Sequence, residues 1–457
     1  MSVPQRAVLV LPTTAEFDSR TYRIASALAA RGHDVTVLAR WRPGLPEEEA
    51  HPAGYRIRRV KVSAGAGLPL PGPVYRAISR WRQGRREREA AVGPSGVPGA
   101  PAPPPASPAD PDEASPATRT SGPLGRFRRA GASAWRTLAI ALVVRSQTRA
   151  SRDAVPPADL YHGMAYMGIP VALDLARRHA ARAVYDARDI YVDAGNLARL
   201  PRPFRALVGR LERGWARRAD RVITVNRPYA EVMAQRWGVE LPLVVLNCAY
   251  RFDPPEPRER RLHEALGLPP ETRVVLYQGG FSRDRGIEQL IEAIRDVDRA
   301  VLVLLGYGPL RAELERQAAD PATAGRVRLL PAVPPTELLS WVAAADVVAM
   351  PIQPTTLNHR LTTPNKLFEA MAAGVPVVAS DLPGMADIVR ESCCGLLVDP
   401  TDPAAIAGVI RSIIDAPEAE RAAWAGRALA AAHATYNWER QMDLLLAEYG
   451  RLTGKPW

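Results

Sequence analysis

Short uninterrupted apolar runs alternate along this chain with longer stretches in which apolar residues recur every three or four positions. Runs of four or five apolar, β-branched-rich residues read as buried strands. The intervening 3.6-residue period reads as helix. The first strand falls at 7–11 and the first helix at 19–31, with Ile24, Leu28 and small alanines facing inward. Gly32, which readily takes the left-handed conformation, ends that helix, and a strand at 35–38 follows. Strand, helix and strand in this length predict a right-handed parallel crossover. The pattern resumes with strands at 159–162, 183–186, 221–225 and 243–246, separated by helices at 171–179, 205–219 and 228–237. A Pro- and charge-rich stretch, 252–261, reads as a hinge. Beyond it strands at 274–277, 301–305, 327–330, 346–350 and 375–379 alternate with helices, and an amphipathic helix occupies 438–452. Two such series predict an α/β protein of two doubly wound, Rossmann-like domains facing a cleft. The divisions are 1–250, 251–432 and a terminal helical segment, 433–457, expected to pack back on the first domain.

One segment breaks the pattern. From 93 to 122 the chain is dominated by Pro, Ala, Ser and Gly, too few apolar groups to offset ordering entropy, so a disordered insertion is expected. Arginines crowd both flanks, at 76–88 and 126–136, and the second flank runs into the apolar stretch 138–144. That stretch is too short to span a bilayer. It reads either as an interfacial helix near anionic lipid or as a helix packed on the first domain.

Composition narrows the partners. Lys and Arg number 60 against 48 Asp and Glu, and the resulting charge of +12 favours anionic partners: phosphates, an anionic membrane face or nucleic acid. Aromatics do not interleave with the basic residues, so nucleic acid is not expected. The three cysteines, Cys248, Cys393 and Cys394, lack a C-x-x-C spacing and read as reduced thiols. Neither a cleavable leader nor an apolar run of about 20 residues is visible, so a cytoplasmic protein, peripheral at most to the inner membrane face, is expected.

Three segments carry candidate chemistry. In Gln278-Gly279-Gly280-Phe281-Ser282-Arg283-Asp284-Arg285-Gly286, a strand feeds a glycine-bearing loop and then a helix. Glycines allow close backbone approach, while Arg283, Arg285 and the helix end supply positive potential suited to a diphosphate. A plain strand-to-helix turn would look the same. Gly306-Tyr307-Gly308, after another strand, stands where open α/β sheets bind ligands, and it too could be an ordinary turn. The sharpest segment runs Thr362-Thr363-Pro364-Asn365-Lys366-Leu367-Phe368-Glu369. A threonine can cap this helix and Pro364 suits its first turn. Free amides near Asn365 and Lys366 can hold phosphate. Glu369 lies one turn on, placed to accept hydrogen bonds from ribose hydroxyls, or else to pair with Lys366 on a solvated face. Asp296 and Asp298 form an acidic pair in a polar turn and are not read as a metal site.

The order of these three segments resembles glycosyltransferase family 4, retaining enzymes of the GT-B fold that use sugar nucleotides. Asp18-Ser19-Arg20 before the first helix and Asp186-Ala187-Arg188-Asp189 after a strand are similar to that family's first half. The resemblance implies donor-binding roles for Gly279, Gly280, Gly306, Tyr307, Gly308, Pro364, Asn365, Lys366, Leu367 and Glu369. It implies catalytic roles for His162, Arg283, Arg285 and Glu369, and acceptor-side roles for Asp18, Arg20, Asp186, Arg188 and Asp189, although His162 also reads as a hydrogen-bonded loop histidine and at least one of Asp186, Arg188 and Asp189 as part of a structural salt-bridge cluster. The chain departs from the pattern twice. The family's earlier glutamate falls on Leu361, with Asn358 or His359 as candidate substitutes, and its first loop arginine falls on Gly280.

The implied reaction moves a sugar from a nucleoside-diphosphate sugar to a glycan, lipid-linked or small-molecule acceptor, with no metal or other cofactor. The basic flanks of 93–122 point to envelope glycan or glycolipid synthesis and to an anionic membrane surface as a further partner. A sugar-nucleotide epimerase-like GT-B enzyme, or a catalytically degenerate membrane-associated binding protein, would share most of these features.

Overall fold

The computed structural model describes residues 4–16, 18–62, 138–323 and 325–457. The Pro-rich insertion at 93–122 and its flanking arginines at 76–88 and 126–136 lie outside the described residues. The first sheet contains β1 (Arg6–Val10), β2 (Asp34–Arg40), β3 (Glu48–Ala50), β4 (Arg56–Val60), β5 (Leu160–Met164), β6 (Arg182–Ala187), β7 (Arg221–Thr224) and β8 (Leu243–Val244). Their order is β3-β4-β2-β1-β5-β6-β7-β8, parallel except for the β3–β4 hairpin. The chain winds outward in both directions from β1, so the sheet's switch point lies between β1 and β5. There the carboxyl ends of the strands open a crevice.

The second sheet contains β9 (Arg273–Gly280), β10 (Ala300–Tyr307), β11 (Val327–Leu330), β12 (Val347–Met350), β13 (Val377–Ser380) and β14 (Gly395–Val398), in the order β11-β10-β9-β12-β13-β14. All its pairings are parallel, with a switch point between β9 and β12. Strands covered by helices on both faces bury every side chain, which is why they appear in the sequence as unbroken apolar runs. β5 and β12 are buried at every position.

The hairpin of β3 and β4 has no apolar run to announce it. β4 reads Arg-Ile-Arg-Arg-Val, and Arg59 is nonetheless 3% exposed because its guanidinium donates to Thr14 O and Pro46 O and pairs with Glu49.

Residues 138–151 form a helix on the first domain. Its anchor is Gln147, fully buried, which donates to Leu11 O at 2.8 Å and accepts from Arg40 Nε at 2.8 Å. The apolar stretch 138–144 precedes that anchor, and none of its seven residues is buried. Among the described residues no helix is long and apolar enough to cross a membrane.

The helix Trp438–Thr453, capped by Asn437, returns to the first sheet, where Trp438, Met442, Leu445 and Tyr449 share a core with Leu9 and Val37. The two passages between domains run side by side, since Trp438 N donates to Ala249 O.

Candidate active site

The second domain forms one wall of the cleft. The ends of β9 and β10 pair in register there, Gly279 opposite Gly306 and Gly280 opposite Tyr307. A Cβ on Gly306 would stand 2.0 Å from Gly279 O, and one on Gly308 2.4 Å from Phe281 O, so the two loops can stack only with glycine at both places. Beside them the helix Asn365–Ala372 begins at Pro364 without a side-chain cap. The expected threonine cap is absent because the N-cap position falls on Pro364, which has no side-chain acceptor; the Thr363 hydroxyl, one residue earlier, bonds to Gly384 O and accepts from Asn226 Nδ2. The opening turn of this helix therefore presents itself to the cleft unblocked by a cap.

From that turn Lys366 folds over the Tyr277 ring, its Nζ 3.3 Å from the ring centroid, a cation–π contact. Glu369, one turn on, accepts from Gln278 Nε2 at 3.4 Å. Arg285 reaches the same space from the loop after β9, held by a 3.4 Å hydrogen bond to Ser282 Oγ. These groups surround a cavity of about 440 Å³, within the range of small-ligand sites. Leu305, Val333 and Leu338 give one end an apolar lining. Burial, with Arg285 close by, pushes the Lys366 ammonium well below its ordinary pKa, against the pull of Glu369. Burial also raises the Glu369 carboxyl, opposed by Arg23, Gln278 and Lys366. A doubly charged anion entering here would reverse the first effect and restore the ammonium.

The first domain supplies the opposite wall and holds a buried charge network. Arg20, 1% exposed, donates through Nε to Asp186 Oδ2 at 2.6 Å and through Nη1 to Val245 O at 2.9 Å. His162 stands behind that pair, fully buried, bonded to Asp186 through Nε2 at 3.3 Å and to the Tyr449 hydroxyl through Nδ1. Burial raises the Asp186 carboxyl, but Arg20, His162 and Arg188 outweigh it and hold the group far below the carboxylate range. Burial depresses His162 more than Asp186 lifts it. Arg188 grips both oxygens of Asp18 at 2.8 and 2.7 Å, and Asp18 in turn caps the helix Ser19–Ala30 by accepting from Thr21 N.

The cleft thus brings together Gly279, Gly280, Gly306, Tyr307, Arg285, Pro364, Asn365, Lys366 and Glu369 with Arg20, Arg188 and Asp189. Other expected residues stand elsewhere. Arg283 is exposed and outside the cavity; only the second arginine of the loop turns inward. Leu367 is fully buried in the second domain's core, and Gly308 packs on Phe281. His162, Asp186 and Asp18 do not line the cavity; Asp186 and Asp18 are bonded to the lining residues Arg20 and Arg188, and His162 to Asp186. Leu361 is packed against the first domain's core. Neither candidate substitute, Asn358 or His359, lines the cavity. Asn358 accepts from Ile190 N at 2.8 Å and donates to Asp189 at 3.0 Å, while His359 bonds Thr355 outside the cavity. Asn358 instead clasps the two domains, reinforced by Tyr229 on Asn358 O and Asn226 on Leu361 O, both at 2.8 Å.

Gln278 and Asn247 were missed by pattern reading. Gln278 lines the cavity with its Oε1 unpartnered, and Asn247 donates to Asn365 Oδ1 across the domain boundary at 2.7 Å. The signal available in the sequence was a polar residue directly after an apolar run, 274–277 for Gln278 and 243–246 for Asn247.

The same fold recurs in solved proteins. Sucrose-phosphate synthase from Thermosynechococcus elongatus superposes with a TM-score of 0.68 at 21% identity, over 98% of this chain and 99% of that one. Anabaena HepE in complex with UDP and glucose superposes at 0.62 and 16% identity, over 98% and 100%. The fold is GT-B. Within this GT-B chain, residues 272–416 match the family model described as glycosyl transferases group 1. Among curated proteins the chain is similar to D-inositol 3-phosphate glycosyltransferase of Xylanimonas cellulosilytica, 31% identical over 51% of this chain and 58% of that protein. It is also similar to 2-deoxystreptamine glucosyltransferase of Streptomyces kanamyceticus, 28% identical over 58% and 68%. The matched stretch spans less than two thirds of the inositol-phosphate relative's length.

Proposed function

We propose that the protein is a retaining, metal-independent glycosyltransferase. It moves a sugar from a nucleoside-diphosphate sugar to a hydroxyl of a glycan, a lipid-linked sugar or a small molecule, on the cytoplasmic side and in envelope glycan or glycolipid synthesis. One observation carries the reading: Arg285, Lys366, Glu369 and the uncapped turn at Asn365 converge on one wall of a cavity whose other wall is the first domain. The matched family model and the complex of HepE with UDP and glucose support it.

In this reading the diphosphate lies against the helix opening and between Arg285 and Lys366. Both cations and the helix-end amides strengthen their hold as the glycosidic C–O bond lengthens and charge grows on the leaving phosphate. Glu369 accepts from the ribose hydroxyls, and the apolar end beside Leu305, Val333 and Leu338 takes the base. The acceptor oxygen approaches on the face the phosphate leaves and gives its proton to a departing phosphate oxygen. No carboxylate nucleophile is then required, and the anomeric configuration is retained.

The test is a panel of UDP, GDP and ADP sugars scored by thermal stabilisation and by release of nucleoside diphosphate. At least one sugar nucleotide is expected to stabilise the fold, since it binds only the folded form. Lys366→Met and Glu369→Ala are expected to weaken both signals. Wild-type behaviour in both variants would overturn the assignment.

A further inference from the structure

We infer that the cleft-side end of the first domain's outer helix layer is a docking surface for an anionic lipid bilayer. The helix Arg202–Ala216 joins parallel strands β6 and β7, so it starts at the carboxyl ends of the strands, beside the cleft. Its buried face is Val208, Glu212 and Ala216. Outward stand Leu207 and Leu211, 46% and 42% exposed and one turn apart. Arg202 and Arg210 are exposed on the half of the helix nearer the cleft, and the exposed Arg213, Arg217 and Arg218 continue the basic face toward its far end. Where these guanidiniums make hydrogen bonds, the acceptors are backbone oxygens of Trp237 and Gly214, and no carboxylate pairs with any of them among the described residues. The one acid in the helix, Glu212, is 1% exposed and bonded to the Tyr185 hydroxyl. The outward face is therefore cationic and apolar, with no acidic side chain.

The helix at 138–151 extends the same edge. Gln147 is fixed to Leu11 O, one residue beyond the end of β1. The turns before it, roughly 13 Å at 1.5 Å per residue, run past the rim of the sheet. They carry the unburied apolar stretch 138–144, with Leu138 45% exposed. The helix Ala165–His179 touches both neighbours: Asp174 pairs with Arg152, just past the 138–151 helix, and the helix itself packs against Arg202–Ala216. With Arg145 and Arg149 exposed on the 138–151 helix, two apolar projections that carry arginines share one end of one face.

Exposed guanidiniums with no carboxylate beside them attract anions, and exposed leucines between them gain nothing from a phosphodiester chain. Anionic headgroups over acyl chains satisfy both. Docked this way, the cleft mouth would face the membrane surface, where a lipid-linked acceptor resides. The surface is independent of the donor-site reading.

The experiment is vesicle co-sedimentation of the full chain, comparing phosphatidylcholine with phosphatidylcholine containing phosphatidylglycerol, at low and high salt. Binding is expected only to the anionic vesicles and should weaken with salt. Arg202→Glu/Arg210→Glu should lower partitioning about tenfold or more, and Leu207→Ser/Leu211→Ser should lower it at both salt levels. Thermal stabilisation by nucleotide sugar should be unchanged in both variants, so loss of the donor response in wild type would count against the active-site reading alone. Equal binding to neutral vesicles, binding to RNA without binding to vesicles, or wild-type partitioning in both variants would overturn the proposal.

Discussion

Replacing Arg285 and, separately, Arg283 with methionine distinguishes the inward arginine from its exposed neighbour two positions away. Arg285 lines the cavity, and among the described residues its side chain donates to a neutral hydroxyl, Ser282 Oγ, and to no carboxylate. Its charge is thus free to meet a phosphate. A hydrogen bond to a charged group contributes about 1.5–3 kcal/mol. A donor whose contact strengthens as charge develops contributes about 10²–10³ in kcat. Lys366 lines the same cavity and keeps its own hold on the diphosphate, so part of the stabilisation survives the loss of Arg285. The expected result for Arg285→Met is therefore near the lower figure, about 10²-fold in kcat. Methionine keeps much of the aliphatic stem, and the fold should be intact. Arg283→Met, on the exposed side, should stay within about threefold, as surface substitutions do. Release of nucleoside diphosphate under saturating donor measures both. Equal losses in the two variants, or a wild-type rate in Arg285→Met, would refute the placement of the diphosphate.

Three further outcomes are expected. Asp186→Asn leaves Arg20 buried without its counter-charge and should cost about 3–5 kcal/mol in urea unfolding; a loss under 1 kcal/mol would mean that the network is not held by this pair. Burial pushes the Glu212 carboxyl up to about 7, against its bond from Tyr185 and the charge of Arg236. With the folded value above the unfolded one, its contribution is complete below about pH 4.5 and is lost as pH rises through 7. Glu212→Gln should therefore raise the Tm at pH 8 relative to wild type and do so less at pH 5, and a pH-independent difference would contradict this. Gly306→Ala drives a methyl to 2.0 Å from Gly279 O, and calorimetry should show a loss of about 2 kcal/mol or more together with weaker nucleotide stabilisation.

The strands were legible because burial on both faces leaves an apolar run, and the opening of the helix at Asn365 was legible to within a residue because Pro364 marks it. The arginine-rich β4 was not, since its charges are satisfied by partners distant in sequence, at Thr14 and Pro46. In the site, the glycines at 279 and 306 and the Lys366–Glu369 turn follow from local spacing. Which of Arg283 and Arg285 turns inward depends on the path of the loop, where Asp284 and Gly286 have φ of 65° and 77° and Gly286 passes against Pro351 O. Local pattern also cannot reveal that His162 lies behind Arg20, because the hydroxyl that covers it comes from Tyr449, 287 residues later. Asn358 likewise read as a stand-in for a missing acid, whereas its bonds to Ile190 and Asp189 exist only once the domains meet.

The distant tyrosine has a practical corollary. Because Trp438, Met442, Leu445 and Tyr449 fill the floor beneath β1 and β2, a recombinant fragment ending near residue 250 would expose apolar surface that the intact polypeptide covers. Such a half-molecule should aggregate during purification, whereas supplying 433–457 on the same fragment through a short flexible tether should restore solubility.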